Sequence, residues 1–440
     1  MKLFKRNAAE WIELLLWVVI YACPLAILPL RGIDIFDAIK GPILAVASLS
    51  ILFLLIKKGD WKLDIIDYLS GAWLVLILIS ALASPDPLLG VFGKKLSHGR
   101  LTAGRFEGWF TYLFYLTLFH AARRYFSPST QNIKQYLSWM TLISIYAIIQ
   151  HIYLDPLIHF RGYRPVIFSL IGNQNFLASL MVLLIFLSIT FYRIEKKSLY
   201  LFLAALFLST LVMSQTRSGW LAFLFLCVVG IVVGIWKKSK RDVLVFLGGI
   251  ILFIGCFYGL NKRPNWFFDA AKFHTITLMD RGENGWNDIK NPSKNSGSGR
   301  IILWKISLKA ALENPLLGSG PEQLKGVLEK QNDPDYRYYK KSRHRTVDRA
   351  HNEFLHVGGT QGIFALLLYL SILIILFVRN SKQLKDPLVL GLTMTLVAYW
   401  IQSFFNISVI AVAPVYWIIL GWWGKGKSDP DCVVSGVNSE

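Results

Sequence analysis

Charged residues are scarce in this sequence: they make up 17% of its 440 residues, whereas hydrophobic residues make up 54%. Folded soluble chains usually carry about a quarter charged residues, so a soluble multidomain protein is excluded. Apolar runs of about 20 residues, long enough to cross a hydrocarbon core, recur along almost the whole chain. The first run, 11–30, has no small-residue cleavage site behind it, so no cleavable signal peptide is expected.

Cysteine is also scarce, and the four cysteines share no metal-ligand spacing: Cys23, Cys227, Cys256 and Cys432. They are interpreted as small apolar residues, without a disulfide framework or a zinc site. The sequence lacks a phosphate-binding glycine–lysine loop, a dinucleotide fingerprint and a paired-histidine zinc motif. Asp333-Pro334-Asp335 has no calcium-ligand spacing. We therefore expect no ATP hydrolysis, no metal, no cofactor and no nucleic-acid partner.

Twelve apolar segments predict membrane helices, with boundaries good to a few residues. These segments are 11–30, 38–56, 64–83, 108–122, 135–154, 166–192, 198–215, 218–236, 242–260, 358–378, 387–404 and 406–423. The predicted fold is an all-α polytopic membrane protein with about twelve transmembrane helices and one large, mostly helical extracytoplasmic loop. The predicted divisions are helices 1–9 in residues 1–260, the loop in 261–357, and helices 10–12 with a cytoplasmic tail in 358–440.

Basic clusters predict the orientation of the chain. They precede the first helix and occupy every second short loop, as the positive-inside rule requires. The clusters after the first helix are Lys57-Lys58-Lys62, Arg123-Arg124, Arg193-Lys196-Lys197, Lys237-Lys238-Lys240-Arg241, Arg379-Lys382-Lys385 and Lys425-Lys427. Both termini are therefore predicted in the cytoplasm and the large loop outside.

The outer face is predicted to be cationic. Residues 261–355 contain 17 Lys or Arg and 11 Asp or Glu, a balance of +6 by subtraction. Further basic residues on shorter outer loops include Lys94, Lys95, Arg100, Arg105, Arg161, Arg164 and Arg217. Such a surface suits an anionic ligand such as a lipid pyrophosphate. The alternative is that these charges are solvated or contact lipid headgroups.

The first candidate segment is Ser214-Gln215-Thr216-Arg217-Ser218-Gly219-Trp220, a predicted hairpin between two apolar helices. An arginine this close to the hydrocarbon is costly unless it is paired, so Arg217 is a candidate functional residue. The alternative is that its side chain extends to the headgroups, which is common at helix ends.

The second candidate segment begins at Ser298-Gly299-Arg300. A helical apolar pattern over 300–312 includes Trp304, and Ser298 is its expected N-cap. A helix N-terminus is a poor place for a cation, so Arg300 suggests phosphate binding rather than helix stability. The following turn, Gly318-Ser319-Gly320-Pro321, is a weaker candidate for presenting N–H groups to an anion.

The third candidate segment is Asp348-Arg349-Ala350-His351-Asn352-Glu353-Phe354-Leu355-His356. His351 is a residue type able to accept a proton from a hydroxyl near neutral pH. Asp348 and Glu353 are close enough in sequence to orient it, and Asn352 either caps the next helix or holds a sugar hydroxyl. A purely structural histidine beside a membrane helix is the alternative.

Together these segments resemble the superfamily of O-antigen ligases and O-antigen polymerases. The resemblance covers the hydropathy of nearly the whole chain and the long outer loop before the last three helices. Its motifs are Gly172-Asn173-Gln174-Asn175-Phe176-Leu177-Ala178, Thr216-Arg217-Ser218-Gly219, Ser298-Gly299-Arg300 with Trp304, Asn314-Pro315-Leu316-Leu317-Gly318-Ser319-Gly320, and Ala350-His351-Asn352-Glu353-Phe354-Leu355. Gly362 matches a family glycine, whereas Ala365 stands where Gly, Thr or Tyr is frequent.

The resemblance implies a GT-C-like membrane glycosyltransferase, inverting and independent of metal, with its active site on the outer face of the cytoplasmic (inner) membrane. A glycan on undecaprenyl pyrophosphate would pass to the hydroxyl of a glycan or lipid acceptor, among membrane lipids. The catalytic residues implied are His351 as the base and Arg217 and Arg300 at the pyrophosphate. The candidate substrate-binding residues are Arg161, Arg164, Asn175, Trp304, Arg349 and Asn352.

Several alternatives stay open at this point. The sequence does not separate a ligase from a polymerase, and lipopolysaccharide core is only one acceptor among several. A flippase for lipid-linked oligosaccharides would show internal repeats or charges at mid-membrane, and neither is evident. A peptidoglycan polymerase would need its own acidic catalytic motif.

Overall fold

The computed structural model describes residues 6–29, 35–59, 62–97, 100–152, 154–157, 167–260, 282–283, 286–288, 296–331, 333–343 and 346–426. The helices are α1 (Ala8–Leu25), α2 (Lys40–Lys58), α3 (Ile65–Leu82), α4 (Pro87–Phe92), α5 (Trp109–Tyr125), α6 (Thr130–His151), α7 (Gln174–Glu195), α8 (Ser198–Met213), α9 (Arg217–Trp236), α10 (Lys240–Gly259), α11 (Ser296–Glu313), α12 (Leu324–Gln331), α13 (Pro334–Arg343), α14 (Glu353–Gln361), α15 (Ile363–Ser381), α16 (Pro387–Phe404) and α17 (Ala413–Gly424).

Eight of these helices are long and apolar enough to cross a membrane: α1, α2, α3, α7, α9, α10, α15 and α16. The prediction of a polytopic, helical membrane protein is therefore confirmed. The other four predicted segments also contain helices, but α5, α8 and α17 have only 17, 16 and 12 residues. The fourth, α6, has 22 residues and a more polar composition. The count of twelve membrane helices stays a prediction.

The loop before α5 departs from the all-α expectation. Its residues Lys95–Ser97 (β1) and Arg100–Ala103 (β2) form a short antiparallel hairpin. Beyond the hairpin the chain turns back at Gly104 and Gly108, whose surroundings leave no room for a side chain. This close packing of backbone on backbone holds the segment between the hairpin and α5 in one conformation.

Two predicted helices start later than expected. The segment 166–192 contains a 3₁₀ turn, Ser169–Ile171, and α7 begins only after Asn173, whose side chain accepts the Asn175 N–H at 2.8 Å. The segment 406–423 is non-helical up to α17, which begins with Ala413 and Pro414. Proline is favoured in a first helical turn because its missing N–H is not needed there.

The core of the bundle is α7, which is buried along most of its length between α8 and α16. Around it, α17 packs against α5, α9 against α10, α1 against α2, and α15 against α3. Large apolar side chains on the outer faces of these helices remain exposed, for example Val46, Phe53 and Phe225. An exposed apolar belt is expected where lipid replaces water as the solvent.

The helix α3 links two chemically different ends of the bundle. At its start, Asp64 pairs with Arg123 and with Arg379, the latter at 3.0 Å. Near its end, the Ser80 hydroxyl donates to the Thr360 carbonyl at 2.9 Å. The two ends of an 18-residue helix lie about 27 Å apart. The clusters that contain Arg123 and Arg379 and the segment around Thr360 therefore lie at opposite ends of the bundle.

The predicted helix 358–378 is broken at Gly362. That residue has a φ of 91° and separates α14 from α15. A Cβ built on it would lie 1.9 Å from the Leu316 carbonyl oxygen, and the next N–H, of Ile363, donates to the Pro315 carbonyl at 2.8 Å. The break is therefore where the chain after α11 packs against the membrane helix.

Replacing Gly362 by alanine is expected to destabilise the protein. The left-handed backbone alone costs a non-glycine residue about 1–3 kcal/mol, and the overlap with Leu316 adds to this. A thermal unfolding experiment in detergent should show a lower Tm. The matched control is Gly326→Ala in α12, where an added Cβ has no neighbour within 4 Å. An unchanged Tm for Gly362→Ala would contradict the geometry of the break.

Candidate functional site

The segment 346–353 carries His351 to the start of α14. The Asn352 side chain caps that helix by accepting the Leu355 N–H at 3.0 Å, so the capping role considered for it is the one observed. His351 itself has a φ of 50°, which is unusual for a residue with a side chain. The Trp304 indole donates to the His351 carbonyl at 3.3 Å. The backbone of the candidate base is therefore held from both sides.

The charges around His351 favour its neutral form. Burial lowers the pKa of the His351 imidazole to about 4, and three guanidinium groups act in the same direction: Arg300, Arg105 and Arg349. Asp348 opposes the shift. A neutral imidazole has a nitrogen lone pair available at neutral pH, as a general base requires.

The two acidic residues that were expected to orient His351 have other partners. Asp348 pairs with Arg105 at 2.6 Å. Although burial disfavours its charged form, Arg105 and Arg349 hold the pKa of Asp348 below its usual value. Glu353 is buried, and its carboxylate accepts the Ser408 N–H at 2.7 Å. Glu353 thus joins the start of α14 to the loop between α16 and α17.

Arg349 lies in a buried cluster of charges. Its side chain is 1% exposed and pairs with Glu322 at 2.7 Å and Glu107 at 3.2 Å. Burial raises the pKa of Glu107 to about 8, which Arg349 opposes and Glu322 reinforces. The guanidinium that was expected to contact substrate is therefore enclosed between two carboxylates of the protein.

Arg217 is the first residue of α9. Its guanidinium pairs with Asp288 at 3.0 Å, so this arginine near the apolar helices has the anionic partner that its position requires. The preceding Thr216 donates its hydroxyl to the Gln174 carbonyl at 3.1 Å. That bond joins the starts of α9 and α7.

Asn175 contacts two amide side chains that the sequence analysis missed. Its carbonyl oxygen accepts Gln402 Nε2 and Asn406 Nδ2, each at 3.2 Å. Asn406 donates also to the Ser179 hydroxyl at 3.1 Å. A signal was present, because two amide residues four positions apart at the end of an apolar helix are costly without partners.

Trp304 connects this amide cluster to His351. Its ring packs against Phe404 and Phe405, with centroid distances of 5.5 Å and 5.9 Å. These phenylalanines lie between Gln402 and Asn406 in the chain. A continuous path of contacts therefore runs from Arg217 through the starts of α9 and α7 to Trp304 and His351.

Trp304→Phe is expected to reduce activity slightly and Trp304→Ala more strongly. Phenylalanine keeps the ring contacts but loses the N–H bond to the His351 carbonyl, a loss of about 1 kcal/mol, or about fivefold in rate. Alanine also removes the packing that supports this bond. Initial rates of the purified variants, normalised to folded protein, check the order. Equal rates for wild type and Trp304→Ala would contradict a supporting role.

The glycine turn after α11 does not present its N–H groups to an anion. The N–H groups of Ser319 and Gly320 donate to the carbonyls of Gly359 and Thr360, each at 2.9 Å. That expectation was wrong because these donors are used to join the turn after α11 to the last turn of α14.

The remaining predicted site residues are placed as follows. α11 begins at Ser296, before Ser298, but Gly299 has a φ of 81°, so regular right-handed winding starts at Arg300. Arg161 and Arg164 lie outside the described residues. Within the described ranges, no group of three metal-ligating side chains is found.

Residues 202–370 match the family model described as O-antigen ligase. This region is an O-antigen ligase domain. The match covers Arg217, Arg300, Trp304 and the segment around His351, and the predicted superfamily is confirmed. The comparison with curated proteins finds no match.

The O-antigen ligase domain covers α9 to α14, most of α8 and the first eight residues of α15, and therefore both the large loop and membrane helices. The eight apolar helices are those of a multi-pass membrane protein, and the match over residues 202–370 supports an activity of the O-antigen ligase and polymerase type, which is glycosyl transfer. The flippase alternative has no support in the comparison.

Proposed function

We propose that this O-antigen ligase domain transfers a glycan from undecaprenyl pyrophosphate to an acceptor hydroxyl at the outer face of the cytoplasmic membrane. The observation that carries the proposal is a half-buried His351 in a segment anchored on both sides, with Arg300 among the cations that lower the pKa of its imidazole. A base next to a guanidinium matches a reaction in which a hydroxyl loses a proton and a phosphate gains charge.

In the proposed reaction the acceptor hydroxyl loses its proton to the imidazole of His351. The hydroxyl oxygen forms a bond to the anomeric carbon of the glycan, and the bond from that carbon to the phosphate oxygen breaks. This single displacement inverts the anomeric carbon. Arg300 and Arg217 stabilise the charge that collects on the leaving lipid pyrophosphate, since a guanidinium stays ionised and offers a planar pair of donors. At Arg217 the donor phosphate would compete with Asp288.

The positions of the basic clusters and of His351 along the bundle support the proposed orientation in the membrane. The clusters that include Arg123 and Arg379 lie at one end, and the segment that contains His351 lies near the other. Because basic short loops stay in the cytoplasm, the base would face the outside. Cysteines introduced at Lys58 and Tyr338, both exposed, test this in intact cells: an impermeant maleimide should label only the second.

The pH dependence follows from the surroundings of His351. In the free enzyme burial and the nearby cations lower its pKa to about 4, so the base is neutral from neutral pH down to about that value. A bound pyrophosphate adds negative charge near Arg300 and raises the pKa. As the pH falls, kcat should therefore decline at a higher pH than kcat/KM for the donor. If kcat and kcat/KM fell at the same pH, this would contradict a donor bound beside this base.

The defining experiment reconstitutes the purified protein in bilayers with a glycan donor on lipid pyrophosphate and with candidate acceptors. Transfer and release of lipid pyrophosphate are followed in wild type, His351→Ala, Arg300→Ala and the exposed control Arg337→Ala. Transfer by wild type and the control, lost in the other two, supports the proposal, and product length separates ligase from polymerase. Movement of the donor across the bilayer without transfer to any acceptor would refute it and favour a flippase.

A further inference from the structure

Three non-glycine residues with left-handed backbone meet around Arg349: Phe106 (φ 62°), Glu322 (φ 64°) and His351 (φ 50°). Such residues are strained and persist only where the surrounding contacts hold them. Phe106 lies in the segment before α5, Glu322 in the large outer loop, and His351 before α14. Three chain segments are thus held in unusual conformations at one place.

Glu322 is the common partner of these segments. Its Oε1 atom accepts the N–H of Arg105 at 2.8 Å, the N–H of Glu107 at 3.0 Å and the Arg349 guanidinium at 2.7 Å. The two backbone donors flank Phe106, and a turn of this kind, with N–H groups converging, is a typical anion-binding arrangement. Here the anion is a carboxylate of the same chain.

The position of Glu322 is itself fixed from both sides along the chain. Before it, Ser319 and Gly320 are bonded to the last turn of α14. After it, the Gln323 side chain donates to the Asp86 carbonyl at 2.8 Å. The carboxylate is therefore delivered to Arg349 by a rigid turn.

We propose that Glu322 is a positioning residue for His351, acting through Arg349 and through the turn 105–107. This inference rests on the proposed function, in which His351 is the base. The side chain of Glu322 is only 4% exposed, so Glu322 does not touch a substrate. Arg349 stands two residues before His351, and the Arg105 side chain pairs with Asp348, so both contacts of Glu322 lead to the segment that carries the base.

The test compares Glu322→Gln with the matched control Glu329→Gln, an exposed glutamate of the adjacent helix. Glutamine can still accept the two backbone N–H bonds but loses the ion pair with Arg349. We expect kcat per folded molecule to fall on the order of tenfold to a hundredfold, because small misplacements of a base are costly. The KM for the donor should stay unchanged, and the control should match wild type.

A second readout is the acidic limb of the pH profile of kcat, that is, the pH range in which kcat falls as the solution becomes more acidic. The charged and titratable groups around His351 are Arg300, Arg105, Arg349, Asp348 and His356. Loss of the Glu322 charge leaves Arg349 less neutralised, so the limb should move to lower pH. A role confined to stability would lower the Tm and leave both kcat per folded molecule and the limb unchanged, which would overturn the inference.

If the single variant fails to fold, the double variant Glu322→Gln/Arg349→Gln takes its place, since it removes both charges of the pair together. The double variant should be as slow as described above, and wild-type kcat in it would overturn the inference. The result is separable from the proposed function itself. Full transfer by His351→Ala would refute the base, whereas loss of transfer by His351→Ala with normal kcat in Glu322→Gln would refute only the positioning role.

Discussion

Replacement of His351 by alanine is expected to lower kcat by about 10²- to 10⁴-fold, the range that general base catalysis contributes. The affinity for the lipid pyrophosphate donor should be retained, because the phosphate contacts are assigned to arginines. The effect is large because the neighbouring carboxylates cannot take over as the base. Asp348 is paired with Arg105, and Glu353 accepts the Ser408 N–H.

Single-turnover transfer at saturating donor, together with donor binding measured separately, checks this prediction. His351→Gln serves as the companion variant, since it keeps a polar side chain without a basic nitrogen. Both variants should bind the donor and fail to transfer it. Equal losses of donor binding and transfer would instead indicate that His351 shapes the pocket.

The local environment of the base was only partly predictable from the sequence. The residue types near His351 were visible, and Asn352 followed a known capping pattern. Which carboxylate pairs with which cation was not visible, because Arg105, Glu107 and Glu322 come from segments more than 200 residues apart at the extremes. The sequence predicts Arg349 as a substrate contact because nothing local reveals that two carboxylates enclose it.

For the helices as well, local properties were predictable from the sequence and long-range contacts were not. Apolar composition and length predicted the eight helices that are long and apolar enough to cross a membrane, because these properties are local. The break at Gly362 and the late start of α17 depend on what packs against them: the Leu316 carbonyl in one case and the loop bonded to Glu353 in the other. The Gln402 and Asn406 cluster was likewise missed because its partner, Asn175, is 227 residues away from Gln402.

Arg300→Ala is the second variant for which a large effect is expected. Removing one preorganised donor of developing charge typically costs about 10²- to 10³-fold in kcat, and here donor binding should weaken as well. Arg300→Lys should recover only part of the loss, because an ammonium group lacks the planar pair of donors. The exposed Arg337→Ala, in the same outer loop, is the matched control and should transfer normally.

Arg300→Ala should also change the pKa of the base, His351. Among the charges that lower the pKa of His351, Arg300 is the largest, so its removal raises that pKa from about 4 towards the ordinary value. The protonated, inactive form then persists to higher pH, and the acidic limb of kcat/KM moves upward. A variant that is slow but keeps the wild-type limb would show that Arg300 acts on the donor without lying beside His351. An upward shift would place the phosphate-binding cation and the base in one site.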